Sequence, residues 1–323
     1  MRIALVAEEM RKLNIAFLFL ILFTADLSAQ QDPTFSQFMF NTLAYNPGFS
    51  GINNMFCVTA LSRQQWVGFK GAPSTITFNV GAPVAPFHIK SGIGLNVMSD
   101  NLGFERDNVV SGIYSYHMDL GPGKLGIGIN LGVYNMSLSP SWQIPSGDSH
   151  TPASGDPLIP ENKESYVAFD AGLGAYYRTD RLYAGLSVTH INEPKIKFTK
   201  GEPYISRHYY LTTGYTLQLP NPALELLPSV FAYSDGKTLQ FALNTLVRYN
   251  KKVWGGVSYR AGDALIGIFG IELYNGIRIG YSYDFTLTDI RKSSSGTHEF
   301  MVNYCFDFGS GKSPMRYKSI RFL

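Results

Sequence analysis

The stretch "LGIGINLGVY", Leu125 to Tyr134, decides the fold. In an extended chain Leu125, Ile127, Ile129, Leu131 and Val133 fall on one face, and Gly126, Gly128, Asn130 and Gly132 on the other. Strict alternation marks a strand with one apolar face, a pattern shared by soluble sandwiches and membrane barrels. Length and the character of the second face separate the two. Sandwich strands run about 5–6 residues, whereas a tilted strand that crosses a bilayer needs about 9–11. A second face of glycine and Asn suits a crowded lumen. These glycines do not make a phosphate loop, because they recur at every second residue of an alternating strand.

The pattern repeats along the chain. Val167, Phe169, Ala171 and Leu173 oppose Asp170, Gly172, Gly174 and Arg178, and Phe300, Val302 and Tyr304 oppose Glu299 and Asn303. Isolated ions of both signs on the small face are what a barrel interior holds. Fourteen such runs fill Met55 to Phe308, among them Asn108–Leu120, Leu182–Asn192 and Thr297–Phe308. An even count returns both chain ends to the periplasm. The connections agree: "GPG", "TDR", "YNKK" and "YNG" are short and fall on one side, with "PVAPFHIK" and "LPNPAL" as longer exceptions there and "DGK" and "AGD" as short turns on the other side. "QWVGFKGAP", "NLGFERD", the run from Pro140 to Glu164 and "EPKIKFTKGEPYISR" fall on the other. The expected fold class is all-β, a transmembrane antiparallel β-barrel of about fourteen strands. A secreted β-sandwich is the competing reading.

Composition points the same way. Charged residues are 16%, against about 25% in soluble domains. Aromatics reach 14%, with 32 glycines. A net charge of +3 is too small to imply nucleic acid. Arg11 and Lys12, the apolar run "LNIAFLFLILFTA" and Leu27-Ser28-Ala29 read as a signal peptide cleaved after Ala29, with Met10 a more natural start than Met1. The expected organisation is a signal peptide over 1–29, a lead-in or plug over 30–54, the barrel over 55–308 and a basic tail over 309–323. That tail carries Lys312, Arg316, Lys318 and Arg321 and no acid.

Three stretches carry a resemblance: "DPTFSQFMFNTLAYNPGFSG" at Asp32 to Gly51, "RQQWVGFKGAPST" at Arg63 to Thr75, and "HEFMVNYCF" at His298 to Phe306 with Arg316-Tyr317 after it. Together they resemble the PorP/SprF family, outer-membrane proteins of the type IX secretion system of Bacteroidetes, over essentially the whole mature chain. The resemblance implies an outer-membrane barrel that works with other type IX components and with a secreted partner. That partner is often a large adhesin with a type B C-terminal targeting domain, linked to adhesion and gliding motility. It implies an accessory or anchoring subunit rather than the main export channel.

Read physically, Asp32 is a fair helix N-cap with Pro33 at the first helical position. Phe35, Phe38, Met39 and Thr42 then share a face until Asn46-Pro47-Gly48 ends the run. A short amphipathic helix or irregular plug in or under the periplasmic mouth is expected, with Gln37, Asn41 and Asn46 bonding to lumen groups. It either seals the barrel base or receives a partner or gates the lumen. Arg63 points inward, toward a carboxylate such as Glu299 or Asp170. Gln64, Trp66, Gly71 and Pro73 belong to the first outward loop, where Trp66 suits a headgroup-level girdle and the glycines and proline fix the loop's shape. "SPSW" at Ser139 to Trp142 opens a long loop that is either a cap or an adhesin-binding surface. Cys57 and Cys305 face inward on neighbouring end strands; two buried free thiols are favoured over a seam disulfide.

No catalytic constellation emerges. The six histidines, His88, His117, His150, His190, His208 and His298, are scattered, without a nucleophile triad or a metal-ligand spacing, and no cofactor is implied. A non-enzymatic secretion and anchoring barrel is the leading reading, its partners an exported adhesin, other secretion components and outer-membrane lipid. A transporter of small apolar or sugar ligands, similar to fatty-acid-transport barrels, is the alternative, with an outer-membrane enzyme third.

Overall fold

The computed structural model describes residues 32–139, 162–199, 201–274 and 276–307. The signal peptide, the basic tail and nearly all of the loop opened by Ser139 fall outside the described residues.

Closing one sheet on itself removes the free edge and lets backbone groups pair between strands, as hydrocarbon requires. That is the architecture here. The strands are β1 Phe56–Gln64, β2 Ser74–Val84, β3 Ser91–Leu102, β4 Glu105–Leu120, β5 Gly123–Leu138, β6 Glu164–Arg178, β7 Leu182–Thr189 and β8 His208–Tyr215. They continue as β9 Leu217–Gln218, β10 Leu224–Ser234, β11 Leu239–Tyr249, β12 Val253–Arg260, β13 Ala264–Glu272, β14 Ile277–Thr286 and β15 Thr297–Phe306. β8 and β9 are two parts of one crossing, broken at Thr216, and both pair with β10. β15 pairs with β1 and β10 with β11, so fourteen antiparallel crossings close the barrel.

The alternation faces as the sequence implies. Ile127, Leu131, Phe169 and Phe300 are about half exposed toward lipid, while Gly126, Gly128, Asp170 and Glu299 are buried in the lumen. β4 and β5, of 16 residues each, make one wall tall. β4 begins three residues before the expected Asn108, because Glu105, Arg106 and Asp107 pair with Leu138, Ser137 and Met136 of β5 although they are polar. β7 stops at Thr189, three residues short of the expected Asn192. There the chain turns inward, and Ile196 and Ile205 pack with Val109, Tyr134, Met136 and Ala168.

Cys57 and Cys305 are register partners across the closing seam and form a disulfide, which overturns the expectation of two free thiols. Strand alternation placed both on the same face, and the closing register sets them opposite each other. The bond spans 248 residues, and closing so long a loop removes conformational freedom mainly from the unfolded chain, worth about 2–5 kcal/mol. Replacing both cysteines by serine is expected to lower the unfolding midpoint in detergent by that order with the barrel intact. A double serine variant that unfolds at the same midpoint as the disulfide-bonded protein would count against this.

Candidate functional site: a lumen filled by the N-terminal segment

β1 starts at the end of the barrel that carries the short turns, taken as its base, so residue positions along the strands give heights in the lumen. Residues 32–54 run down it from the outer end to the base. Asp32 lies against Thr189, His190 and His208 at the outer ends of β7 and β8. Asn41 bonds to Thr77 and Asn79 on β2, and Asn46 Nδ2 donates to the Ala175 and Leu186 carbonyls. At the base, the Ser50 carbonyl meets His117 Nε2 at 2.8 Å and Asn53 accepts from Arg178. This corrects the expected place and decides between the two expected forms. The plug occupies the whole height rather than the periplasmic mouth, and it is irregular rather than an amphipathic helix, with 3-10 turns at Thr42–Ala44 and Pro47–Phe49. Asp32 caps no helix, because its carboxylate is taken by wall residues. The wall glycines permit the fit: a Cβ at Gly128 would collide with the Pro47 carbonyl, and one at Gly92 with the Ser50 carbonyl.

A buried ionic clamp holds the upper part of the segment. Arg63 Nη2 lies 2.9 Å from Asp284 and its Nη1 3.2 Å from Glu299. Arg260 reaches Asp284 at 3.2 Å and Asp263 at 2.9 Å. Ser36 ties the plug into this network, its hydroxyl donating to Asp284 and accepting from both arginines. The backbone N–H groups of Ser36 and Gln37 donate to the two oxygens of Glu299 at 2.8 and 2.7 Å. Of the two carboxylates expected for Arg63, Glu299 is engaged. Asp170 is not, since it lies 2.9 Å from His190 Nδ1.

Apolar side chains finish the packing. Phe35 joins Leu61, Trp254, Ile266 and Met301. Phe38 stacks on Phe231 at 4.9 Å, and Tyr45 stacks on Tyr210.

At the segment's outer end both Asp32 carboxylate oxygens lie 3.1 Å from His190 Nε2, and Tyr210 donates to Asp32 Oδ2 at 2.7 Å. Burial works against charge on either partner, yet their attraction prevails. His190 and His208 hold the Asp32 carboxyl well below the usual range, and Asp32 and Asp170 raise His190 to about 10. Sequence reasoning missed this cluster, since 158 residues separate Asp32 from His190 and no spacing rule connects them.

The first outward loop is braced by its neighbours. Gln64 bonds to Ser74, and the Gln65 N–H donates to the Pro73 carbonyl. Trp66 has φ 49° and donates its N–H to Thr297 Oγ1 at 3.1 Å, which places it half-buried on the rim. The Gly71 carbonyl, at a residue with φ 79°, accepts from the Gly103 N–H. At the other end of the barrel, a vestibule of about 400 Å³ opens beside the plug, lined by Arg178, Arg181, Glu225, Arg248 and Glu272 among others.

Residues 27–304 match the model of the family described as "Type IX secretion system membrane protein PorP/SprF". No curated protein sequence matches the chain. Among solved structures, the Acinetobacter baumannii outer-membrane protein Omp33 aligns at 10% identity over 79% of this chain and 98% of its own, with a TM-score of 0.43. A Pseudomonas aeruginosa FadL homologue aligns at 12% identity over 79% and 89%, with 0.41. The Ralstonia pickettii toluene transporter TbuX aligns at 11% over 78% and 86%, with 0.38. Similarity at that level says nothing about what a lumen carries.

Proposed function

The chain belongs to the PorP/SprF family of type IX secretion system membrane proteins, and from that premise we propose that this outer-membrane barrel is a non-enzymatic subunit that holds a partner surface protein at its faces. The observation that supports this reading is the filled lumen: residues 32–54 bond to the wall from the outer end to the base. A barrel stoppered by its own chain offers surfaces, not a passage. Outward, the braced loop of Trp66, Gly71 and Pro73 presents a fixed shape; below, the charged vestibule is open to the periplasm. The partner is an exported adhesin or its C-terminal targeting domain, handled together with the other secretion components.

The vestibule also favours one alternative, a transporter of small apolar or sugar ligands. Its charged lining and the plug above it weigh against an apolar cargo. Deleting the gene separates the two readings. Loss of one adhesin from the cell surface, with uptake of fatty acids and sugars unchanged, is expected. Reduced uptake with every surface protein in place would sink the anchoring reading.

A further inference from the structure

The polar cluster at the outer end of the lumen has the make-up of a metal centre. Asp32, His190 and His208 each offer a ligand atom, and these atoms lie within 4.8 Å of one another. They come from three segments: the start of the plug, the end of β7 and the start of β8. Both imidazoles are oriented from behind. His190 Nδ1 faces Asp170 at 2.9 Å, and His208 Nδ1 faces the Ser206 carbonyl at 2.9 Å. An oxygen facing Nδ1 orients each ring from behind with Nε2 turned to Asp32, the arrangement found behind metal-bound histidines; an arriving ion takes the place of the His190 Nε2 proton and of the Asp32 N–H at His208. Both Nε2 atoms point at Asp32, one to its carboxylate and one to its backbone N–H.

The spacing fits for the His190–Asp32 pair. Zn–N near 2.0–2.1 Å and Zn–O near 2.0–2.2 Å at a tetrahedral angle put ligand atoms about 3.4 Å apart. His190 Nε2 and the Asp32 oxygens stand 3.1 Å apart. His208 must release the Asp32 N–H and shift its ring to complete the set. Two imidazole nitrogens and one carboxylate suit a first-row transition ion, whereas Mg²⁺ and Ca²⁺ call for oxygen donors. Access and room for a water ligand are at hand. A cavity of about 80 Å³ lies beside Asp32 and His208, with Asp100, Glu105 and Asp107 among its lining residues.

We propose that Asp32, His190 and His208 bind one divalent transition ion of the zinc class, which staples the start of the plug to the outer ends of β7 and β8. The ion would be a structural ligand with water in its fourth position, and binding it only when the plug is seated would stabilise the plugged state.

The test uses the full barrel purified in detergent through a tag without histidine. Elemental analysis is expected to find about one zinc per chain. After chelation, Co²⁺ is expected to restore an ion with visible ligand-field bands. His190→Ala and His208→Ala should each abolish stoichiometric binding, while His88→Ala, at an exposed turn, should leave it intact. Asp170→Asn should weaken zinc affinity about 10–100-fold through loss of the group behind His190. Unheated mobility in SDS gels reports whether each variant is folded. A folded wild-type protein that takes up neither zinc nor cobalt overturns the proposal, leaving an imidazolium–carboxylate clamp only. Equal metal content in folded His190→Ala and His208→Ala overturns it as well. Where those variants do not fold, the wild-type cobalt spectrum decides by itself.

Discussion

Arg63→Ala is expected to destabilise the barrel by roughly 3–5 kcal/mol, the range for removing one partner of a buried ion pair. Arg63 is 2% exposed and stands between Asp284 and Glu299. Without it Glu299 retains, among the described residues, the backbone N–H groups of Ser36 and Gln37 as partners of its carboxylate, and Asp284 keeps Arg260 and the Ser36 hydroxyl. The penalty is the uncompensated charge rather than the lost contact. Accordingly Arg63→Met combined with Glu299→Gln, which removes one charge of each sign, should recover most of it. Arg63→Lys should recover little, since a single ammonium cannot reproduce the fork that meets Ser36, Asp284 and Glu299 together. Thermal unfolding of the folded band in detergent measures all three. A shift below about 0.5 kcal/mol for Arg63→Ala would show that lumen water, not Arg63, balances these carboxylates.

What the sequence made legible was whatever depends on one neighbour at a time. Alternation in Leu125 to Tyr134 needs only the local period, and the crossing count needs only which turns are short. Both Cys57 and Cys305 could be placed on the inward face, but whether they bond depends on the register of the closing pair, set by the whole circumference. The plug was legible as a segment and illegible as a path. Its Phe35 and Phe38 read as one face of a helix, yet they fill separate pockets, Phe35 with Leu61 and Met301 and Phe38 with Phe231. The helix lost because Ser36, Gln37, Asn41 and Asn46 spend their hydrogen bonds on the wall, which no periodicity reveals. The same holds for Arg63: its inward aim follows from alternation, whereas the choice of Glu299 over Asp170 follows from strand neighbours, β15 beside β1. The inward turn after Thr189 left no mark either, since Ile196 and Ile205 sit singly among polar residues.

Removing residues 32–54 is expected to turn a closed barrel into a conducting one. In planar bilayers the intact chain should hold its baseline, and the truncated chain should show discrete steps of at least several-fold larger conductance. The reason is that the segment touches the wall at every level, with Ser36 at Glu299 and Asp284, Asn41 at β2, Asn46 between β6 and β7, and Ser50 at His117. The walls it leaves behind tolerate water in part: Arg63, Arg260, Asp284 and Glu299 hydrate readily, but Phe231, Tyr210 and Trp254 lose their cover. Gly128→Leu is therefore the companion variant, since it keeps the segment and displaces only the Pro47–Gly48 turn that lies against the strand. It should give smaller, flickering steps as the lower half of the plug loosens while the Arg63 clamp holds the upper half. An intact chain that conducts as well as the truncated one would mean that the segment leaves its seat unaided, and a barrel with a mobile stopper is a channel. A silent intact chain places the export of any large partner in another component and leaves this barrel only its two faces with which to hold it.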